Sequence, residues 1–235
     1  MSVEADAVSD VRSLLTGVRG VLFDFDGPVC RLFPGDSSRP VADELRALVS
    51  RAGAYSLLSE EEERDKDPHA VLRAVHRARW DDAALVRVLE KTVTKGELYA
   101  ARRKPELTPG ADRLIRGLVG RGLRLAVVTN NSARAASYYL KSTGLRGCFA
   151  AVHGRTRDID RMKPDPDVVK RALGSLGLCS HEAVMIGDSP ADVGAAERAG
   201  VGFIGYGRDD RKESELRTAG AKLVLSSYAR LLDED

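Results

Sequence analysis

Six short apolar runs recur along the chain, at residues 21–25, 123–129, 149–152, 183–187, 201–204 and 222–225. Each is bounded by Gly, Asn, Asp or a helical pattern, and several are continuous rather than alternating. A strand covered on both faces reads this way, whereas a strand with one wet face alternates. Helical patterns lie between the runs. Residues 109–119 repeat Leu114, Ile115 and Leu118, and residues 132–143 begin on a capping-type serine. Residues 165–176 place Val168, Val169, Ala172, Leu173 and Leu176 on one face, and 190–199 is alanine-rich and stops at Gly200. Strands alternating with helices predict a doubly wound parallel α/β sheet.

One segment breaks the alternation. Between residues 30 and 107 there are helical patterns and no convincing strand. They are Val41, Leu45, Leu48 and Val49, then Val71, Leu72 and Val75, then Leu85, Val86, Val88 and Leu89, within 41–49, 69–79 and 82–98. The expected organisation is an α/β core from residues 1–29 and 108–235, with a helical module, 30–107, inserted after the first strand. "TPG" at 108–110 reads as the return joint, and "SEEEERDKD", from Ser59, as a solvated loop or helix face.

Composition excludes several function classes. The 37 Lys+Arg nearly cancel the 35 Asp+Glu, so the net charge of +2 leaves no nucleic-acid footprint. No run approaches the roughly 18 apolar residues of a membrane span. "MSVEADAVSDVRSLLTG" carries acids and no long apolar stretch, unlike a secretory leader. Three widely spaced cysteines, Cys30, Cys148 and Cys179, form neither a metal pattern nor a disulfide framework, so a reducing cytoplasm is expected.

Chemistry gathers where strands end. In "GVLFDFDGPVC", alternation points Asp24 and Asp26 to one side and Phe23 and Phe25 to the other. Parallel sheets bind ligands beyond the carboxyl ends of their strands. Two close carboxylates there repel unless one is protonated or a cation lies between them. In "VVTNNS", Thr129 and Asn130 precede a helix start, where a hydroxyl and backbone N–H groups cradle phosphate, although they also serve as ordinary caps. Lys163 of "RMKPDP" matters only if folding brings it to the carboxylates. Asp188 ends another strand, with Asp192 four residues on. Asp24 and Asp188 on neighbouring strand ends would suit Mg²⁺, which takes a few carboxylates, waters and phosphate oxygens. Capping is the plainer role for Asp188, Ser189 and Asp192.

Together these motifs resemble the haloacid dehalogenase-like hydrolase superfamily, and within it the phosphoglycolate-phosphatase-like branch. The match is carried by "DFDGPV" at 24–29, "VVTNN" at 127–131, "KPDP" at 163–166 and "GDSPADVGAAERAG" at 187–200, and it covers almost the whole chain. The resemblance implies a Rossmann-like core with a small helical cap at 30–107. It implies that Asp24 is a nucleophile forming an aspartyl-phosphate, and that Asp26 is the general acid and then base. Mg²⁺ would sit on the Asp24 carboxylate, the Asp26 carbonyl and the Asp188 carboxylate. Thr129 and the N–H of Asn130 would hold phosphate oxygens, Lys163 would supply positive charge, and Asp192 would orient a bound water or Lys163. Dehalogenases of the superfamily lack an acid two residues after the nucleophile, so Asp26 favours phosphoryl transfer. Pro28 departs from the threonine common in relatives.

The resulting expectation is a cytoplasmic enzyme, monomer or homodimer, that hydrolyses a small phosphorylated metabolite. A phosphohexomutase is the alternative, with Arg31, Arg39, Lys66, Lys91 and Arg102 as positions for a second phosphate. A phosphonate hydrolase would need a cap lysine over Asp24, and a non-catalytic phosphate-binding module would need to have lost the chemistry. His69, His76, His153 and His181 form no ligand pattern, Trp80 and Tyr138–Tyr139 read as packing or surface, and the cysteines as apolar filling.

Overall fold

The apolar runs do pair into one sheet, and its middle strand is the one that leads into the acids. The computed structural model describes residues 17–78 and 83–232; residues 1–16, which hold most of the opening segment, and Trp80 lie outside the described residues. In chain order the main elements are β1 (Gly20–Phe23), α1 (Arg39–Arg51), α2 (Glu60–Arg64), α3 (Pro68–Arg77), α4 (Ala83–Arg102), α5 (Ala111–Gly120) and β2 (Arg124–Val128). There follow α6 (Ala133–Ser142), β3 (Ala151–His153), α7 (Asp167–Leu176), β4 (Ala183–Gly187) and α8 (Pro190–Ala199). The chain continues through β5 (Gly202–Tyr206), α9 (Asp210–Thr218), β6 (Val224–Leu225) and α10 (Ala229–Leu232). The strand order is β3-β2-β1-β4-β5-β6, with every pair parallel. β1 lies between β2 and β4, so the chain's crossovers diverge at its carboxyl end, where α/β sheets bind ligands.

The expected alternation sorts the core. Val21, Phe23 and Phe25 pack with Leu114, Ile115, Tyr139 and Leu140 on one face. Leu22 packs with Val168, Val169, Ala172 and Ala195 on the other. Phe149 is not in a strand; a tight turn drops its ring edge-on against Phe23, with centroids 6.0 Å apart, and β3 starts two residues later. Helix α9 has no counterpart in the apolar pattern because Leu216 is its single buried residue. Asp209 starts it instead, accepting a hydrogen bond from the Lys212 N–H at 2.9 Å.

Helices α1 to α4 build their own apolar cluster from Leu45, Val49, Val71, Leu72, Val75, Leu85, Leu89 and Val93, joined by Ile159 and Met162. The acidic run forms α2, which Ser59 and Glu62 start with a reciprocal capping box. The chain returns beside its exit. The Thr108 N–H donates to the Val29 carbonyl at 3.0 Å, and the Thr108 hydroxyl donates to the Gly27 carbonyl. No described helix is long and apolar enough to cross a membrane.

Candidate active site

Three strand ends and one loop bring the predicted residues together. Asp24 follows β1 and stays tied to β4 through its N–H, which donates to the Ile186 carbonyl at 2.8 Å. Asp188 follows β4, and Thr129 follows β2. Lys163 comes from the loop before α7, and its ammonium reaches Asp24 and the end of β2. It donates to Asp24 Oδ1 at 2.7 Å, to Asp192 Oδ1 at 2.5 Å and to the Val128 carbonyl at 2.9 Å. Its side chain is 3% exposed, so this is not the solvated lysine of ordinary experience. Asp24, Asp26, Thr129, Asn130, Lys163 and Asp188 all line one cavity of about 480 Å³.

The carboxylates are strongly perturbed. Burial pushes Asp24 up to about 7, Lys163 pulls it back, and Asp192 and Asp188 push it further. Burial, then Asp188, also pushes Asp26 up to about 7, against the hydrogen bond its Oδ1 accepts from the Leu32 N–H at 2.8 Å. Burial raises Asp188 as well, partly relieved by Lys212. Burial works against the Lys163 charge, but Asp192 and Asp24 more than offset it and hold its pKa above the usual lysine range.

Oxygen donors of Asp24, Asp188 and Asp192 lie within 4.8 Å of one another. Asp192 is fully engaged, however. Its Oδ1 serves Lys163, while Oδ2 accepts from the Asp188 N–H, the Ser189 N–H and the Ser189 hydroxyl at 3.1, 3.0 and 2.7 Å. Asp24 Oδ2 and Asp188 Oδ1 accept no hydrogen bond among the described residues. Two unengaged carboxylate oxygens in a buried, acid-rich cluster fit a hard divalent cation such as Mg²⁺. Close packing keeps them there: a Cβ on Gly27 would come within 2.4 Å of the Asp188 carboxyl carbon.

Comparison with known proteins fits this geometry. The family model for haloacid dehalogenase-like hydrolases matches residues 18–200. A phosphoglycolate phosphatase from Rhodospirillum rubrum is 30% identical over 233 residues, covering 92% of this chain and 90% of that one. A pyrophosphatase, PpaX, from Halalkalibacterium halodurans is 31% identical over 53% of this chain and 57% of its own. CbbY from Rhodobacter sphaeroides, solved with xylulose-(1,5)bisphosphate, shares the fold at a TM-score of 0.65 and 22% identity, covering 90% of this chain and 95% of that chain.

The chain belongs to the haloacid dehalogenase-like hydrolases, in the phosphoglycolate-phosphatase-like branch. It is a phosphatase. The non-catalytic reading is thereby set aside.

Around this phosphatase's acids the cavity wall is cationic. Arg31, Lys66, Arg73, Arg208, Arg211 and Lys212 line it. Of the positions weighed for a second phosphate, Arg31 and Lys66 reach the cavity, while Arg39, Lys91 and Arg102 do not line it. Arg208 and Lys212 sit 3.7 and 3.3 Å from Asp188 Oδ2. They were invisible in sequence because α9 itself was.

Thr129 and Asn130 are less free than expected. The Thr129 hydroxyl donates to Asn131 Oδ1 at 3.0 Å and accepts from the Asn131 N–H at 3.1 Å. The Asn130 side chain clasps Lys163, accepting from its N–H at 2.8 Å and donating to its carbonyl at 3.1 Å. His69 lines the cavity and pairs with Asp67 and Glu97. Cys30 fills the apolar core and Cys148 packs against it, whereas Cys179 is exposed. Glu97 and Arg155, both with wholly buried side chains, went unseen because a single charge in a helix or loop carries no periodic signal.

Proposed function

We propose that the protein hydrolyses a small phosphate monoester with Mg²⁺, through a phospho-aspartate on Asp24. The observation that carries this reading is Lys163, buried between Asp24 and Asp192 at the mouth of β1. A bound Mg²⁺, held by the Asp24 and Asp188 carboxylates and the Asp26 carbonyl, would screen the repulsion between Asp24 and an anionic phosphate. Asp24 attacks phosphorus in line, and the ester P–O bond breaks as the new bond forms. The leaving alkoxide takes the proton of Asp26, an acid poised at about 7 and so suited to neutral pH. Asp26, now a base, removes a proton from the incoming water. That water displaces Asp24 from phosphorus and releases inorganic phosphate. Lys163 stabilises the charge on the transferring group, and Asp192 keeps Lys163 aimed.

Helices α1 to α4 are read as the cap, comprising residues 30–107, over a core of 1–29 and 108–235. Phosphoglycolate, the substrate named for several relatives, is the first ester to test. The three free cysteines accord with a cytoplasmic setting. The test is turnover of a phosphate-ester panel. Activity should require Mg²⁺ and vanish in Asp24→Asn; activity that survives chelation, or an active Asp24→Asn protein, refutes the mechanism. Sugar phosphates in the same panel distinguish a mutase, which returns isomerised sugar instead of free phosphate.

A further inference from the structure

The phosphate loop at the end of β2 is not held by the core alone. Helix α4, from the inserted segment, delivers Glu97 into it. The Glu97 carboxylate is 0% exposed. It accepts from the Ser132 N–H at 2.8 Å, from Arg155 Nη1 at 2.9 Å and from Asn131 Nδ2 at 3.4 Å, and it lies 3.0 Å from His69 Nε2. Arg155, just past β3, donates the same Nη1 to the Asn130 carbonyl at 2.7 Å, and its Nη2 reaches Glu90 and Thr94 at 3.2 and 3.0 Å. Its buried Nε has no hydrogen-bond partner among the described residues.

Burying a carboxylate and a guanidinium is costly, and an apolar pair often serves stability as well or better. The pair therefore needs another reason. Its contacts supply one. Ser132 and Asn131 hang on Glu97, Asn130 hangs on Arg155, and Thr129 is tied to Asn131. Asn130 in turn clasps the backbone of Lys163, whose ammonium touches Asp24. An unbroken path runs from α4 to the proposed nucleophile.

We propose that Glu97 and Arg155 are positioning residues for phosphoryl transfer. Their ion pair fixes residues 129–132, and through Asn130 it fixes Lys163 against Asp24. The inserted helices thus act on turnover through the phosphate loop, as well as by covering the cavity. The proposal rests on the phosphatase reading above.

The test separates positioning from plain stability. Glu97→Gln leaves Arg155 poorly paired and should lower Tm, whereas Glu97→Gln with Arg155→Gln removes both charges and should recover most of it. The double variant should still show kcat lowered by about tenfold or more, and inhibition by inorganic phosphate weakened by about tenfold, because a small misplacement of the loop is felt at the reacting centre. Arg155→Lys keeps the buried charge but lacks the second nitrogen that grips Glu90 and Thr94 of α4 while the first holds Glu97 and the Asn130 carbonyl, and should weaken phosphate inhibition alike. Wild-type kcat and phosphate inhibition in a folded double variant, or in Arg155→Lys, overturn the proposal while leaving the phosphatase reading intact. A wild-type protein that turns over no phosphate ester overturns the reading beneath it.

Discussion

Removing divalent cations should make this protein less stable as pH rises from 5 to 8, and restoring Mg²⁺ should cancel much of that loss. Asp24 titrates at 3.8 in an unfolded chain and at about 7 in the buried site. An acid raised in this way holds its proton more tightly when folded. Its full contribution is present below 3.8 and is lost as pH climbs through about 7. A shift of roughly three pKa units at 1.36 kcal/mol each is about 4 kcal/mol, of which about 3 kcal/mol falls between pH 5 and 7. Asp26 and Asp188 move in the same direction, and so does His69, whose burial is outweighed by Asp67 and Glu97. His153, lowered by burial and by Arg171, opposes them. Asp67 and Glu97, drawn down to about 2 by His69 and by His69 with Arg155 against the effect of burial, have delivered their stability before pH 5 and stay level above it.

For a chain of this length 1 kcal/mol moves Tm by about 2–4 °C, so the chelated protein should lose on the order of 10 °C across the range. Mg²⁺ at a hundredfold excess over its Kd should return about 2.7 kcal/mol, and more at pH 8 than at pH 5, because protons compete with it for the same oxygens. The assay is a thermal melt in chelator and in Mg²⁺ at several pH values. A chelated Tm that is flat or rises from pH 5 to 8 refutes the reasoning. So does a Mg²⁺ gain that is larger in acid.

Lys163→Met removes a cation that serves three acceptors and should cost about 3–5 kcal/mol of stability, with kcat down by about a hundredfold or more in steady-state assays. Asp26→Asn should slow alkyl phosphates far more than aryl phosphates, since a phenolate departs without a proton; equal losses on both would remove Asp26 as the acid. Gly27→Ala places a Cβ 2.4 Å from the Asp188 carboxyl carbon at a φ of +117°, so it should destabilise by about 1–3 kcal/mol and weaken Mg²⁺ binding in calorimetry.

The core was legible because its signals are periodic or terminal. Continuous apolar runs announce buried strands, and an acid at the end of such a run is out of place unless something binds it. Asp24 and Asp188 stand out in this way, and the joint occurrence of the motifs brings in Asp192 and Lys163. The structure adds what one dimension hides. Nothing local distinguishes Lys163 from a surface lysine; its 3% exposure comes from the loop that folds it over β1. Glu97 lies 35 residues from the Ser132 N–H it holds, on a helix whose own pattern is that of packing. Arg208 and Lys212 stand around the start of a helix with one buried side chain, too thin a stripe for periodicity to reveal.

Charge explains why these late-found residues belong to the same site. Once Asp24, Asp188 and Asp192 are ionised beside a protonated Asp26, the one buried ammonium leaves two negative charges among largely buried carboxylates. A divalent cation neutralises that excess and no more. A phosphate dianion arriving next would meet a neutral floor, and Arg208 and Lys212 beside Asp188 supply the two positive charges that match it. Without the metal the dianion would enter a negative pocket. Phosphate and Mg²⁺ should therefore bind cooperatively, each tightening the other by the same factor. Calorimetric titration of phosphate with and without Mg²⁺ measures that factor. Equal phosphate affinity in chelator would mean that the cationic wall alone holds the anion, and the carboxylate cluster would then lose its role as a metal seat.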